Sequence, residues 1–506
     1  MIDPTGQHPQ QLKVRHLGID THSDAVVFMR KDSPVCRSEG FASHNRIMLC
    51  AGDRYIIATL YQVESGLLAA DEAGLSSAAW QRLEAKDGEI VIAKHAPPLE
   101  SLSLVRSRIY GHTLGDDALH AIVADIVDGR YSTIEISSFV TTCATRPLVR
   151  SEVLGLTRAM VRTGGRLSWD VPVVADKHSV GGLPGNRTTP IIVSIIASLG
   201  LIMPKTSSRA ITSPAGTADT METLAPVVLD AKKIHDVVER EGGCIAWGGA
   251  VGLSPADDIL IRVERALDLD TEGQMIASVL SKKIAAGSTH LVLDIPVGPT
   301  AKVRNEDAAK SMTAGLMAVA ESFGIRTHIV CGDGTQPIGR GIGPALEARD
   351  VLSVLKNEAH APQDLRQRAL KLAGALLELG GKAQAGMGED VAAKTLDDGR
   401  AWNKFQRICE AQGGMRTPPI SSHRRALSAA RHGAVGTIDN RKIARLAKLA
   451  GAPEDKAAGV ELHVKAGDTV VRGQPLCTVH AESPGELAYA LNYAEANPDI
   501  FQIEDI

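Results

Sequence analysis

The sequence predicts an α/β multidomain chain: a β-rich N-terminal domain, a helical domain, an α/β domain with a mixed, mainly parallel sheet, and a C-terminal α+β domain. Three observations carry this prediction. Short alternating apolar runs fill residues 12–94, and helix-period patterns follow the break at Pro97-Pro98. From about residue 171, apolar strand-like runs alternate with helix-length patterns, as in a parallel sheet covered on both faces. A chain of 506 residues has room for three or four domains at about 100–200 residues each. The expected boundaries are 1–98, 99–170, 171–415 and 416–506.

In the first domain, residues 25–28, 55–60 and 89–93 are strand-length runs separated by Asp, Ser and Gly. In the second, Leu119, Ile122, Val123, Ile126 and Val127 share a helical face behind Asp116 and Asp117, whose charge suits a helix N-terminus. Ser132 and Glu135 have the spacing of a capping box that opens the next helix. In the third, strands are expected at 171–174, 291–295 and 327–330, with a helix beginning near Pro190. Beyond about Pro418 the β character returns, and Val460, Leu462 and Val464 alternate up to a Gly467-Asp468 turn.

Composition narrows the function. Lys+Arg 55 against Asp+Glu 59 gives a net charge of −4, without the basic excess that coating a nucleic acid requires. Aromatic residues are 3% of the chain, too few for a base-stacking platform. Seven dispersed cysteines, none in a C-x-x-C pair, indicate neither a disulfide framework nor a zinc ribbon. The N-terminus has no signal-like apolar region and the apolar run 191–203 is too short to span a bilayer, so a cytoplasmic chain without nucleic-acid or membrane partners is expected.

Three clusters carry chemistry. The first runs from Asp176 through Lys177, His178, Ser179, Gly181, Gly182, Gly185, Asn186, Arg187 and Thr188, expected as a loop between an apolar strand and a helix. Glycines that admit a close approach, cations, and hydroxyls at a helix N-terminus read as a phosphate cradle. The lysine precedes the glycines, so the spacing is not that of a P-loop. The second is the hydroxyl-rich loop Lys205 to Thr217, which would open at the same carboxyl edge of the sheet, although turn and cap chemistry explains such residues equally well. In the third, Ser278 and Lys282 lie one turn apart on a helix face, and Asp270 stands upstream, where by pattern alone it reads as a helix cap.

Lys177-His178-Ser179 with Gly181-Gly182, Ser207-Ser208-Arg209 through Gly216-Thr217, and the run Ala277 to Lys283 resemble the motifs of the thymidine and pyrimidine-nucleoside phosphorylase family. The stretch Ser208 to Glu222 is more similar to the branch containing AMP phosphorylases and type 2 thymidine phosphorylases, which the extra N-terminal domain also fits. The resemblance implies phosphorolysis of a nucleoside or nucleoside 5'-monophosphate to free base and a pentose 1-phosphate. Phosphate is then a co-substrate, and neither cofactor nor metal is implied. Lys177, Ser179, Thr188, Ser207 and Thr217 would hold phosphate. His178, Gly182, Ser208, Arg209, Ala210, Ile211, Thr212, Ser213, Thr217, Ser278, Lys282 and Lys302 would meet the substrate, and Asp270 would be the proton donor. The family further implies a homodimer or higher homo-oligomer, a helical domain joined by about 255–287, and a barrel-like C-terminal domain. One position departs: where pyrimidine enzymes place a base-gripping Arg, this chain has Val263, flanked by Arg262 and Arg265. Arg209 and the neighbouring hydroxyls could instead meet a 5'-phosphate, which favours a nucleotide such as AMP.

Two motifs are decoys. Gly332 to Gly339 lacks the G-x-G-x-x-G order and contains Pro337. Residues 459–477 resemble a biotinyl or lipoyl hammerhead, but the following Thr478 to Ser483 contains no Met-Lys tip. The competing functions are an anthranilate-type phosphoribosyltransferase with Mg²⁺ on Asp257 and Asp258, and a nucleotide-binding regulatory protein.

Overall fold

The first strands curl into a closed six-stranded barrel. A computed structural model describes residues 11–64, 66–210, 213–269 and 271–505, and the chain divides into two compact units, Met1–Arg146 and Pro147–Ile506. In the first unit, β1 (Gln11–His16), β2 (Val26–Arg30), β3 (Arg46–Ala51), β4 (Arg54–Val63), β5 (Glu72–Leu75) and β6 (Ile90–His95) pair in the order β1-β5-β2-β4-β3-β6, and β1 meets β6 to close the ring. Closure leaves no exposed sheet edge. Short helices α1 (Pro34–Glu39) and α2 (Ser77–Leu83) lie between strands. The helices α3 (Leu102–Ile109), α4 (Asp116–Val127) and α5 (Thr133–Thr145) follow. Leu119, Ile122, Val123 and Ile126 are buried on α4, and the Ser132–Glu135 capping box opens α5, as the spacing predicts.

The second unit begins with α6 (Arg150–Arg162). Its α/β layer contains β7 (Ala175–Ser179), α7 (Thr189–Ser198), β8 (Met203–Ser207), α8 (Thr217–Glu222), α9 (Ala231–Glu241), β9 (Gly243–Trp247), α10 (Pro255–Leu267), α11 (Glu272–Ala285), β10 (His290–Val297), α12 (Glu306–Ser322) and β11 (Arg326–Asp333). Strands β11, β10 and β7 form a parallel sheet, and β8 pairs in parallel with β9. A single parallel bridge, Val174 to Ile202, joins the two. The spatial order is therefore β9-β8-β7-β10-β11. Chain order reverses direction between β7 and β10, which is where open α/β sheets bind ligands at their carboxyl ends.

The apolar core explains why α7 reads as an unbroken hydrophobic run. Ile191, Ile192, Val193, Ile195 and Ile196 are all buried between the sheet and α14 (Gln363–Leu379), which follows β12 (Gly341–Ile342) and α13 (Pro344–Leu355).

The C-terminal strands depart from the barrel expected there. β13 (His423–Ser428), β14 (Gly433–Ile438), β15 (Gly459–Leu462), β16 (Thr469–Val470), β17 (Pro475–Ala481) and β18 (Phe501–Glu504) form two open antiparallel sheets, ordered β12-β15-β17-β13 and β16-β14-β18. Val435, Val460, Val470 and Val479 belong to one core. The sheets are thus joined by packing rather than by a continuous ladder of hydrogen bonds. Among the described residues, no helix is long and apolar enough to cross a membrane.

Candidate active site

The lysine motif lies inside a strand, not after one. Residues 171–174, expected as the strand, only lead into it, and Lys177, His178 and Ser179 are on β7 itself. A buried strand tolerates Asp176 and Lys177 because each finds opposite charge. Asp176 accepts from Lys283 Nζ at 2.8 Å and Ser288 Oγ at 2.9 Å, with Lys205 Nζ 3.4 Å away. Lys177 Nζ lies 3.7 Å from Asp294 Oδ2, and Asp294 Oδ1 accepts from Arg368 at 2.6 Å.

Two ion groups result on opposite faces of β7, Asp176 with Lys205 and Lys283, and Asp294 with Lys177 and Arg368, and each sets two cations against one carboxylate, a surplus of positive charge. Burial pushes Lys177 down to about 8 and Lys205 down to about 7, with the nearby carboxylates opposing the shift. Burial alone would raise Asp176 and Asp294, but the surrounding cations outweigh it and both remain ionised below the usual range. Burial and the lysines around His178 hold its imidazole well below the ordinary value, so it is neutral at pH 7.

The loop between β7 and α7 needs its glycines. Gly182 has φ +81° and Gly185 φ +74°. A Cβ on Gly182 would sit 2.7 Å from Lys302 N, and one on Gly185 would sit 2.0 Å from Ile338 O. The supposed dinucleotide loop thus forms a wall of this site: Ile338 N donates to Pro184 O at 3.1 Å.

Four of the five expected phosphate ligands, Lys177, Ser179, Thr188 and Thr217, are tied by hydrogen bonds to one another or to residues of this loop. Lys177 Nζ donates to Thr188 Oγ1 at 2.9 Å, and Thr188 leads into α7. Asn186 Nδ2 donates to Asp294 Oδ2 at 2.9 Å and Ser179 Oγ at 3.3 Å. Ser207, at the carboxyl end of β8, is buried, and its Oγ has no hydrogen-bond partner among the described residues. Arg187, read from the sequence as a charge for the phosphate, instead clamps the fold. Its Nε donates to Glu347 at 2.6 Å and its two terminal nitrogens to Thr217 Oγ1 at 2.7 Å and Ala215 O at 2.8 Å.

The second loop holds Arg209 among carboxylates. Arg209 places two nitrogens on the Glu222 carboxylate, each at 2.7 Å, and one on Asp219 at 3.1 Å, with its guanidinium 4.9 Å from the Trp247 ring. The hydrogen bond from Arg209 holds Glu222 down to about 2. Asp219 Oδ2 also accepts from the Ala210 and Gly216 amides, which ties the loop ends together. Ser208 is exposed, and Ser213 Oγ donates to Ala215 O at 2.9 Å. Ile211, Thr212 and Asp270 lie outside the described residues.

On α11, Lys282 Nζ donates to Ser278 Oγ at 3.1 Å and to Asp257 Oδ2 at 2.6 Å. Asp257 is therefore occupied by a lysine, which disfavours it as half of a magnesium pair with Asp258. Val263 is buried on α10. The residues that sequence reasoning passed over are Asp294, Arg368 and Glu347, and Asn186, though inside the first cluster, was given no role of its own. Asp294 did leave a signal, a lone carboxylate within the apolar run of β10.

A parallel sheet with buried cations at its switch point, preceded by helices, defines the class. Residues 171–402 match the glycosyl transferase family a/b domain, residues 102–164 the helical bundle domain of that family, and residues 434–500 the pyrimidine nucleoside phosphorylase C-terminal domain. The fold is shared with anthranilate phosphoribosyltransferase from Thermus thermophilus, with a TM-score of 0.52 at 20% identity over 61% of this chain and 98% of that one. The chain belongs to the pyrimidine nucleoside phosphorylase family. It is 59% identical over 505 residues to a protein of Chelativorans sp. (strain BNC1) named "Putative thymidine phosphorylase", covering 100% of this chain and 99% of that one. A protein of the same name from Polaromonas sp. (strain JS666 / ATCC BAA-500) is 58% identical, covering 98% and 97%. Phosphorylase-type transfer of a pentosyl group follows from this membership.

Proposed function

We propose that this chain cleaves the N-glycosidic bond of a nucleoside with inorganic phosphate, with thymidine the first substrate to test. The observation that carries the reading is the surplus of cations around β7, Lys177 and Arg368 against Asp294 on the face of Ser179, together with the Ser207 hydroxyl, unpartnered among the described residues. Lys177, Ser179, Thr188, Ser207 and Thr217 hold phosphate there, so that one of its oxygens forms a bond to the anomeric carbon as the bond to the base nitrogen breaks. Asp270, assigned by resemblance alone, gives its proton to the departing base. Neutral His178 offers the base a hydrogen bond, and Gly182, Ser208, Ser213, Ser278, Lys282 and Lys302 surround the nucleoside.

A nucleoside is preferred to a nucleotide because Arg209, the cation that a 5'-phosphate would need, is already paired with Glu222 and Asp219. The names of the relatives support thymidine. The deciding experiment incubates nucleosides and nucleoside 5'-monophosphates with phosphate and measures free base. Thymidine outperforming AMP supports this reading, AMP outperforming thymidine restores the nucleotide reading, and equal base release without phosphate overturns phosphorolysis. Turnover is expected to survive a chelator, whereas loss of activity restored by Mg²⁺ would favour a phosphoribosyltransferase. A homodimer or larger assembly is expected, and a monomer by light scattering would refute it.

A further inference from the structure

Behind the proposed phosphate ligands lies a layer of fixed donors. The Asp294 carboxylate can only accept, so it faces the nitrogen end of the Asn186 amide, and that nitrogen's other hydrogen is directed to Ser179 Oγ at 3.3 Å. Arg187 is held in plane by Glu347 and Ala215 O, which directs its remaining terminal nitrogen at Thr217 Oγ1. A guanidinium has no acceptor and neither does an amide nitrogen. The oxygens of Ser179 and Thr217 therefore already receive a hydrogen bond, and their own hydrogens are left to be donated elsewhere.

We propose that Asn186 and Arg187 are positioning residues that make the phosphate cradle a set of outward donors, so that it selects an oxyanion whose facing oxygens all accept, the phosphate dianion over the monoanion. The dianion can present three unprotonated oxygens. Any three oxygens of the monoanion include at least one that carries a proton and is the weaker acceptor. This deepens the phosphate assignment made above and rests on it. Neither residue touches the reacting atoms; each acts through the hydroxyl it orients.

The test varies inorganic phosphate and nucleoside separately in wild type, Asn186→Leu, Ser179→Ala and the double variant, and follows melting temperature with phosphate alone. Asn186→Leu is expected to raise the KM for phosphate about tenfold, the scale of one hydrogen bond to a charged group, while the KM for nucleoside changes little. In the Ser179→Ala background the same substitution should add nothing, because its target is gone. Additive effects in the double variant, or a parallel rise in both KM values, would overturn the positioning role. Should Asn186→Leu not fold, the similarly sized Asn186→Asp serves: beside Asp294 the two carboxyls must share one proton, and the oxygen that replaces the amide nitrogen facing Ser179 accepts from it and turns its hydrogen inward, so unchanged phosphate affinity refutes the proposal. For Arg187, Arg187→Lys against Thr217→Val forms the equivalent cycle. As pH rises through the second ionisation of phosphate, Lys177 and Lys205 begin to lose charge in wild type and Asn186→Leu alike, so the ratio of the variant's KM for phosphate to that of wild type should rise with pH, and a constant ratio would refute dianion selection. If phosphate neither stabilises the wild type nor supports turnover, the phosphate site itself fails, a result distinct from any of these.

Discussion

Arg187 Nε donates to Glu347 Oε2 across 2.6 Å, although 160 residues separate them in the chain. Glu347 is buried on α13 and also accepts from Thr220 Oγ1 at 3.1 Å. One ion pair thus fastens the β7–α7 loop, the loop before α8, and α13.

Removing either partner leaves a buried charge uncompensated. Glu347→Ala is expected to destabilise the protein by about 3–5 kcal/mol, read by denaturant unfolding. A loss below about 1 kcal/mol would show that the clamp is not structural.

Lys177→Ala should cost about 2.7–4 kcal/mol of transition-state stabilisation, the scale of losing one preorganised electrostatic donor. Comparing kcat/KM at equal folded fraction checks this. An effect confined to melting temperature would reassign Lys177 to folding alone.

Lys177 also has a pH signature with two opposite signs. Its folded value, about 8, lies below the unfolded value of 10.5, so between these values the unfolded chain binds more protons and stability contributed by this group rises with pH. Below about pH 8 the buried charge is a constant cost. The stability difference between wild type and Lys177→Met should therefore shift in favour of wild type from about pH 8 to 10.5, while phosphate affinity falls as the charge is lost. Chemical denaturation and phosphate titration over that range would reveal both trends, and a flat stability difference would contradict the shift.

Asp270→Asn should lower turnover by about 10²- to 10⁴-fold, as for loss of a general acid, while leaving nucleoside binding and melting temperature close to wild type. A variant that melts early but keeps its activity per folded molecule would make Asp270 a helix cap instead.

The hammerhead-like segment should remain unmodified. Residues Thr478 to His480 lie within β17, paired on both sides by β13 and β15, so no free hairpin tip is presented there. An adduct of biotinyl or lipoyl mass on the intact protein would contradict this.

The sequence by itself determined the helical stripes and the glycine-rich turn between β7 and α7. The spacing of Leu119, Ile122, Val123 and Ile126 fixed a helix because a helical stripe must be buried, and the glycines before Thr188 announced a close approach of backbone. Only the tertiary structure decided how the charges are spent. Arg187 and Arg209 look alike in the sequence as free cations beside hydroxyl-rich loops, yet each is committed to carboxylates brought from other segments, Glu347 on α13 and Glu222 on α8. Asp294 passed as an interruption in a strand until β10 placed it beside β7 and Lys177. The physical reason is that local order follows from periodicity between near neighbours, whereas the charge of a site is a sum over groups that only folding brings within a few ångströms.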